Sequence, residues 1–600
     1  MNRRHLLEFI AAVFSQASWP LTSAQASSRS SRVRPSDPSW PSAADWQQLD
    51  RATAGQLIRL QSPFDACATD PSGQACADLF RRLKNPYFLG DDAALTQTLG
   101  WVGAWTSRPS VYAVNAHRTD DVVAAVNFAR EHNLRLVVKG GGHSYQGTSC
   151  SADSLLIWTR KMNAIVLDDA FVGAGCAGRV APLPAVTIGA GAMWGQVYDA
   201  VTTKGGRYVQ GGGCLTVGVA GLIQSGGFGS FSKAYGLAAA SLLEAEIVTA
   251  NGEVRMANAC TNPDLFWAIK GGGGGSFGVV TRLTLRTHDL PDVFGAVFLS
   301  VRAESETAFR RLIERTIEFY RSALFNPHWG EQITFRPGHV MSVAMVFQGL
   351  TQQQAQVTWQ PLFAWLEASP RDFTIIEAPQ VMALPAGRLW DVDTLKQVPG
   401  LVLADDRAHA PATNVFWASN LGEAGRVLHS YQSAWLPAAL LADDRRGDLV
   451  DALVAGAKHW SLSLHINKGL AGAPKAVIDA AKDTPMNGAM RDAFALVICA
   501  AQQQPAYPGI TGREPDPALA RRHAQAVEDA MRELRRLAPD AGSYVSESDF
   551  FEKDWQRSFW GEHYPRLLVT KDVYDPDGLF IVHHGVGSER WSSDGFTRVT

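Results

Sequence analysis

Charge is scarce in this sequence and nearly balanced, with 55 Lys plus Arg against 58 Asp plus Glu and charged residues at 19%. Without a basic field to hold phosphate backbones, and without an acidic tail, nucleic acid is not an expected partner. Beyond the N-terminal segment no apolar run reaches bilayer length, so no membrane span is expected. The seven cysteines, Cys67, Cys76, Cys150, Cys176, Cys214, Cys260 and Cys499, contain no C-x-x-C pair. That absence argues against a zinc ribbon or a thioredoxin-type redox centre, and no metal site is expected. Disorder is excluded as well, because 46% of the residues are hydrophobic and can build cores.

A chain of 600 residues is too long for one core to grow economically, so two or more folded regions are expected. The 54 glycines gather in a few dense clusters, which points to loops whose backbone approaches a ligand closely. At the N-terminus, Asn2-Arg3-Arg4-His5-Leu6-Leu7 sets paired arginines before a modestly apolar stretch, and Ala24-Gln25-Ala26 supplies small residues for cleavage. Residues 1–26 therefore resemble a twin-arginine export signal, although Glu8 and Leu6 depart from the usual pattern. The mature chain is expected to be periplasmic or secreted, where disulfides persist. Cys67 and Cys76 flank a turn at Pro71 and Gly73, a loop that a bridge can close.

Residues 27–105 lack long periodicity and read as a leader with a few short helices. Thr119 is placed to cap a helix over residues 120–133, with Val122, Val126 and Ala129 on one face, and residues 134–138 then read as a strand. That strand runs into Lys139-Gly140-Gly141-Gly142-His143-Ser144-Tyr145-Gln146-Gly147, after which come strand-like runs at 155–158 and 165–167. A Rossmann fingerprint or a P-loop needs a helix directly behind its glycines to receive phosphate, and none follows here. The five glycines from Gly271 to Gly275 lie between a helix-like stretch at 264–269 and an alternating strand at 279–285, the reverse of a dinucleotide-binding turn. From about 291 to 540, helices at 304–320 and 517–537 alternate with strand-like pieces and no ligand motif stands out.

Two glycine clusters each carry one nucleophilic side chain. Around His143, the bare backbone N–H groups of Gly141, Gly142, Ser144 and Tyr145 can form an anion-binding nest for a pyrophosphate. Around Cys214 the pattern repeats in Gly211-Gly212-Gly213-Cys214-Leu215-Thr216-Val217-Gly218-Val219-Ala220-Gly221, followed by Gly226-Gly227-Phe228-Gly229. In this order the two clusters resemble the berberine bridge enzyme-like branch of the vanillyl-alcohol oxidase and p-cresol methylhydroxylase superfamily. Asn262-Pro263-Asp264-Leu265-Phe266-Trp267, and the late Asp575-Pro576 with Phe580, are similar to further signatures of that branch.

The resemblance covers roughly residues 105–290 and 540–592. It implies FAD bound through two covalent links, from His143 to the flavin 8α carbon and from Cys214 to flavin C6, which leaves six cysteines for other uses. By the same match Gly147, Thr216, Val217, Gly218, Gly221, Gly226, Gly227, Gly229, Gly278 and Val279 join the first-loop residues around the cofactor. Leu215 stands where proline is common and Ala240 where aspartate is common. The implied fold is α+β, with a PCMH-type FAD-binding domain at 106–290 and a C-terminal segment at 541–600 that returns to it. A substrate domain at 291–540, an antiparallel sheet backed by helices, is inserted between them.

The segment Ser543-Tyr544-Val545-Ser546-Glu547-Ser548-Asp549 is similar to the family stretch that supplies a catalytic base. Glu547 falls at the base position, with Tyr544 beside it as a hydrogen-bond donor or second candidate; a plain surface ion pair is the competing reading of Glu547. An ordinary glutamate is ionised above about pH 5 and can take an alcohol proton as hydride leaves for flavin N5. Val217, three residues after the bonded cysteine, matches the residue that accompanies oxygen reactivity in relatives, which implies an oxidase releasing hydrogen peroxide. The expected substrate is a carbohydrate or oligosaccharide, or a phenolic or other secondary alcohol, met by a monomer. A dehydrogenase, or a biosynthetic enzyme of oxidative cyclisation or oxygen transfer, is the alternative. His465 is placed either in a substrate groove or in the core. His583 and His584, read as strand neighbours, face opposite ways, and Trp390, Trp417 and Trp560 offer flat platforms.

Overall fold

The computed structural model describes residues 31–599, and the export signal expected over 1–26 lies outside the described residues. A four-stranded sheet, ordered Leu57–Arg59, Tyr112–Asn115, Ser154–Trp158 and Arg135–Lys139, is parallel except for its first strand. The helix Thr119–Glu131 makes the crossover, burying Val122, Ala125, Val126 and Ala129. Thr119 does not cap it. Its hydroxyl donates to Glu246 Oε1 at 2.6 Å, and Asp121 instead accepts the backbone N–H groups of His117 and Arg118. An acceptor at that third position satisfies donors the helix leaves free, as a capping box does.

Beside this lies a five-stranded antiparallel sheet ordered Val254–Asn258, Leu242–Val248, Val279–Arg286, Leu183–Gly189 and Ile165–Phe171. No helix separates the His143 loop from the next strand, Ser154–Trp158, so a helix-borne phosphate site is absent from that turn. The third and largest sheet has nine strands, running from Phe373–Pro385 through Val293–Ala303, Val340–Gln348, Trp329–Arg336, Leu462–His465, Ala493–Gln503 and Arg426–Pro437. Helices Glu306–Phe319, Arg446–His459 and Pro517–Leu537 bury their apolar faces against it and form the largest core.

The segment before residue 106 does more than supply short helices. It gives the four-stranded sheet its outer strand, and its strands Thr98–Trp101 and Trp105–Thr106 close one edge of the nine-stranded sheet, the first pairing parallel with Arg426–Pro437. A covered edge no longer offers free N–H and C=O groups to another chain. At the other end the C-terminal segment docks on the five-glycine loop: Trp560 Nε1 donates to Gly271 O at 2.9 Å, and Lys571 Nζ donates to Ser276 O and Phe580 O. Lys571 is also paired with Asp575 at 2.6 Å, both nearly fully buried, while Asp575 accepts the N–H groups of Leu579 and Phe580. The Asp-Pro…Phe pattern is thus a buried ionic knot, with each charge hydrogen-bonded.

Two disulfides are present. Cys67–Cys76 closes the short loop expected from the sequence, and Cys176–Cys260 ties together segments 84 residues apart; Cys150, Cys214 and Cys499 are free. Among the described residues no helix is long and apolar enough to cross a membrane.

Candidate active site

The two glycine loops interlock backbone to backbone. A Cβ on Gly141 would lie 2.7 Å from Gly218 N, and one on Gly218 would lie 2.8 Å from Gly141 N. Only glycine at both positions allows this approach, and the approach is what brings His143 and Cys214 together. Thr216 Oγ1 lies 3.3 Å from His143 Nε2 and 3.6 Å from Cys214 Sγ. The imidazole and the thiol are therefore no further apart than these two contacts laid end to end, although 71 positions separate them in sequence. Burial, with Arg426 nearby, lowers His143 to a pKa of about 3, so its ring is neutral. Burial also raises Cys214 to about 11, despite hydrogen bonds from Thr216 and Val217 that pull it down, so the thiol keeps its proton.

Both side chains face one cavity of about 820 Å³, at the upper end of the range for cofactor sites. Gly141, Gly142, Ser144, Tyr145, Val217, Gly218, Gly221 and Gly278 line it, as does the run Gly273 to Gly275. Bare backbone on both sides of an imidazole and a thiol fits an extended cofactor that carries phosphates and a reactive ring. Four buried polar atoms of lining residues, Gln146 Oε1, Asn420 Oδ1, Asn467 Oδ1 and His584 Nδ1, have no hydrogen-bond partner among the described residues. Such atoms ordinarily meet a ligand or water.

The cavity does not include every residue assigned to the cofactor from sequence. Gly226 at φ +93° packs on Met486, Gly227 at φ +68° on Leu222, and Gly229 presses against Gly211 O. They shape the turn behind the cysteine loop. Gly147 likewise sits on the Trp105 ring. Val279 is in the core under the four-stranded sheet, and its neighbour Val280 lines the cavity instead. Thr216 is buried behind His143 and Cys214, touching both but off the wall.

The other end of the cavity is formed by the nine-stranded sheet. Lys468 Nζ donates to both carboxylate oxygens of Glu547, 2.5 Å from Oε1. The two side chains are only 12% and 18% exposed, so this is an ion pair on the cavity wall and not a surface pair. Tyr544 is buried edge-on to Phe228, and burial together with Glu547 pushes its phenol further up, so it keeps its proton. His465 does line the cavity, and burial, aided by Lys468, lowers its pKa well below the usual value, which makes it neutral.

Glu331 is the residue that sequence reasoning missed. It sits mid-strand in Trp329–Arg336, yet its φ is +65°, a left-handed conformation that costs a non-glycine residue about 1–3 kcal/mol. Its carboxyl accepts the Ser230 hydroxyl and would lie 3.6 Å from a Cβ on Gly213, one position from Cys214. Burial raises its pKa. The only trace of this in sequence is Gly330, whose backbone touches Ser230 O too closely for any side chain.

Trp390, Trp417 and Trp560 all line the cavity, Trp417 held by a 2.8 Å bond to Gly213 O and the fully buried Trp560 by its indole N–H to Gly271 O. His583 and His584 do not face opposite ways. They occupy a turn, and their rings stack at 3.8 Å, sandwiched between Phe550 (3.7 Å from His583) and Trp555 (5.3 Å from His584). His584 adopts φ +51°, which turns the second ring onto the first.

A family profile for an FAD binding domain matches residues 111–258, and one for "Berberine and berberine like" matches residues 543–587. FAD-linked oxidoreductase easE of Epichloe festucae var. lolii is 30% identical over 639 residues, spanning 99% of this chain and 96% of that protein. Among solved structures, the VAO-type flavoprotein MtVAO615 of Myceliophthora thermophila C1 has a TM-score of 0.75 at 25% identity, covering 95% of this chain and all of that one. Glucooligosaccharide oxidase of Acremonium strictum, described with a 6-S-cysteinyl, 8α-N1-histidyl FAD, shares the fold at a TM-score of 0.65 and 16% identity over 90% of this chain and 99% of that one.

Proposed function

The chain belongs to the FAD-linked oxidoreductases of the berberine bridge enzyme-like group, and on that premise we propose that it holds FAD through both His143 and Cys214 and oxidises an alcohol with dioxygen as acceptor. The observation that carries this reading is the convergence of imidazole and thiol on Thr216 at one cavity. When bound, FAD supplies a two-electron acceptor and passes the electrons on to dioxygen as hydrogen peroxide. Glu547, on the cavity wall, takes the proton of the substrate hydroxyl, and Lys468 holds the carboxylate in place by donating to both of its oxygens. Tyr544 and His465, both uncharged, orient the hydroxyl. Val217 on the wall keeps the cysteine side of the cavity unencumbered for dioxygen.

Gln332, Glu331, Trp390 and Trp417 give the substrate end both hydrogen-bonding groups and flat apolar faces. That combination suits a hydroxylated ring, a carbohydrate first and a phenolic alcohol second. The two disulfides support folding in an oxidising compartment, in keeping with export.

Denaturing electrophoresis under ultraviolet light tests the links. Wild type, His143→Ala and Cys214→Ala are expected to keep fluorescent or mass-detectable flavin on the chain, and the double variant to lose it. A yellow supernatant from acid-precipitated wild type defeats the covalent reading. Peroxide release on a panel of sugars and phenolic alcohols tests the oxidase, and flavin reduction without peroxide in air overturns it.

A further inference from the structure

The contact between the two attachment residues runs through a single hydroxyl. Thr216 is 1% exposed, and its Oγ1, which can both accept and donate, lies 3.3 Å from His143 Nε2 and 3.6 Å from Cys214 Sγ. A neutral imidazole carries one N–H, and the partner of one nitrogen decides which nitrogen has the free lone pair. We infer that Thr216 positions both attachment residues, its hydroxyl accepting the His143 Nε2–H and donating to the Cys214 sulfur, so that Nδ1 is the histidine nucleophile and the sulfur is held beside it. This inference rests on the bicovalent reading and assigns the residue that organises it.

The atoms balance for each link. At His143, the bond from Nδ1 to the 8α carbon forms as one proton leaves that carbon and one leaves Nε2 towards Thr216. Two electrons are released and dioxygen takes them with both protons, giving hydrogen peroxide. At Cys214, the bond from sulfur to C6 replaces one C–H and one S–H, and a second dioxygen takes those two electrons and two protons. Once both links exist, Nε2 has become an acceptor, and the Thr216 hydroxyl turns to donate to it. The same side chain therefore serves before and after attachment. Burial keeps His143 neutral, so its single N–H is the one proton the hydroxyl has to accept.

The test uses the full chain purified with FAD, comparing Thr216→Val, Thr216→Ser and wild type. Peptide mass spectrometry reads the fraction of chains with each link, and NMR of the flavinyl peptide reads which histidine nitrogen is bonded. Thr216→Val is expected to carry both links in a fraction of chains lowered by about tenfold, the size of one lost hydrogen bond. Its residual histidine adduct is expected to be a mixture of the two nitrogens, while Thr216→Ser matches wild type. Full attachment through Nδ1 in Thr216→Val overturns the inference, and so does loss of attachment in Thr216→Ser, which shows that the methyl group and not the hydroxyl matters. If Thr216→Val fails to fold, Thr216→Ala takes its place, and full attachment through Nδ1 in that variant overturns the inference in the same way. A wild-type chain that releases all its flavin on denaturation defeats the bicovalent reading itself, a result distinct from either of these.

Discussion

Lys468 grips both carboxylate oxygens of Glu547 at the edge of the cavity, with neither side chain more than a fifth exposed. The pair joins the nine-stranded sheet to the C-terminal segment, so it couples the site's geometry to the docking of the chain's end. Glu547→Gln is expected to slow flavin reduction by about a hundredfold with flavin content unchanged. Reduction at the wild-type rate removes Glu547 as the base.

Breaking the pair from the lysine side leaves a carboxylate in a poorly hydrated place. A fully buried pair loses about 3–5 kcal/mol when one partner goes, and the partial exposure here lowers that figure. Lys468→Met is expected to lower Tm, and adding Glu547→Gln to it to restore most of the loss. A double-mutant cycle on thermal unfolding checks this, and strictly additive effects show that the pair contributes nothing.

Glu331 gives a pH-dependent signature. Its folded pKa is raised by burial, so its stabilising share is complete below the unfolded carboxylate pKa and is lost as pH rises through the folded value. Glu331→Gln removes that loss. The Tm difference between variant and wild type should therefore move in the variant's favour from pH 4 to pH 8, and a difference that stays constant with pH means the carboxyl is not buried as described.

The glycine contact between the loops predicts a steric failure. Gly141→Ala or Gly218→Ala drives a methyl group into the opposing backbone, where nothing flexible can give way. Overpacking of this kind costs about 1–3 kcal/mol. Because the strain parts His143 from Cys214, the chain should also carry fewer double links by peptide mass spectrometry; unchanged Tm and linkage would mean that the loops are not in contact.

The two disulfides differ in what they close. Cys176–Cys260 spans 84 residues and Cys67–Cys76 spans 9, so the longer bridge removes more unfolded-chain entropy, by about 2 kcal/mol on loop-closure grounds. Replacing the longer pair with serines should lower Tm more than replacing the shorter pair, and the reverse order would point to native packing as the source of stability.

Local patterns in the sequence were enough to identify the strand-loop-strand around His143, the helix Pro517–Leu537, the Cys67–Cys76 bridge and the two glycine loops that carry His143 and Cys214. Each depends on residues close together in the chain, where periodicity and turn chemistry operate. Local pattern was less reliable for Gly226, Gly227 and Gly229, because a glycine cluster shows that backbone comes close to something without showing what. Here the neighbours are Met486, Leu222 and Gly211.

What only the tertiary structure decided are the partners across long separations. Lys468 has no local mark that assigns it to Glu547, 79 positions away. Glu331 lies in an ordinary strand pattern, yet it adopts φ +65° and its carboxyl meets the hydroxyl of Ser230, 101 positions before it. The rings of His583 and His584 stack because Phe550 and Trp555 enclose them. A chemical group's type is carried by its own residue, but its charge state, orientation and use depend on what packs against it. Those neighbours are set by sheet register and loop contact, which sequence spacing does not encode.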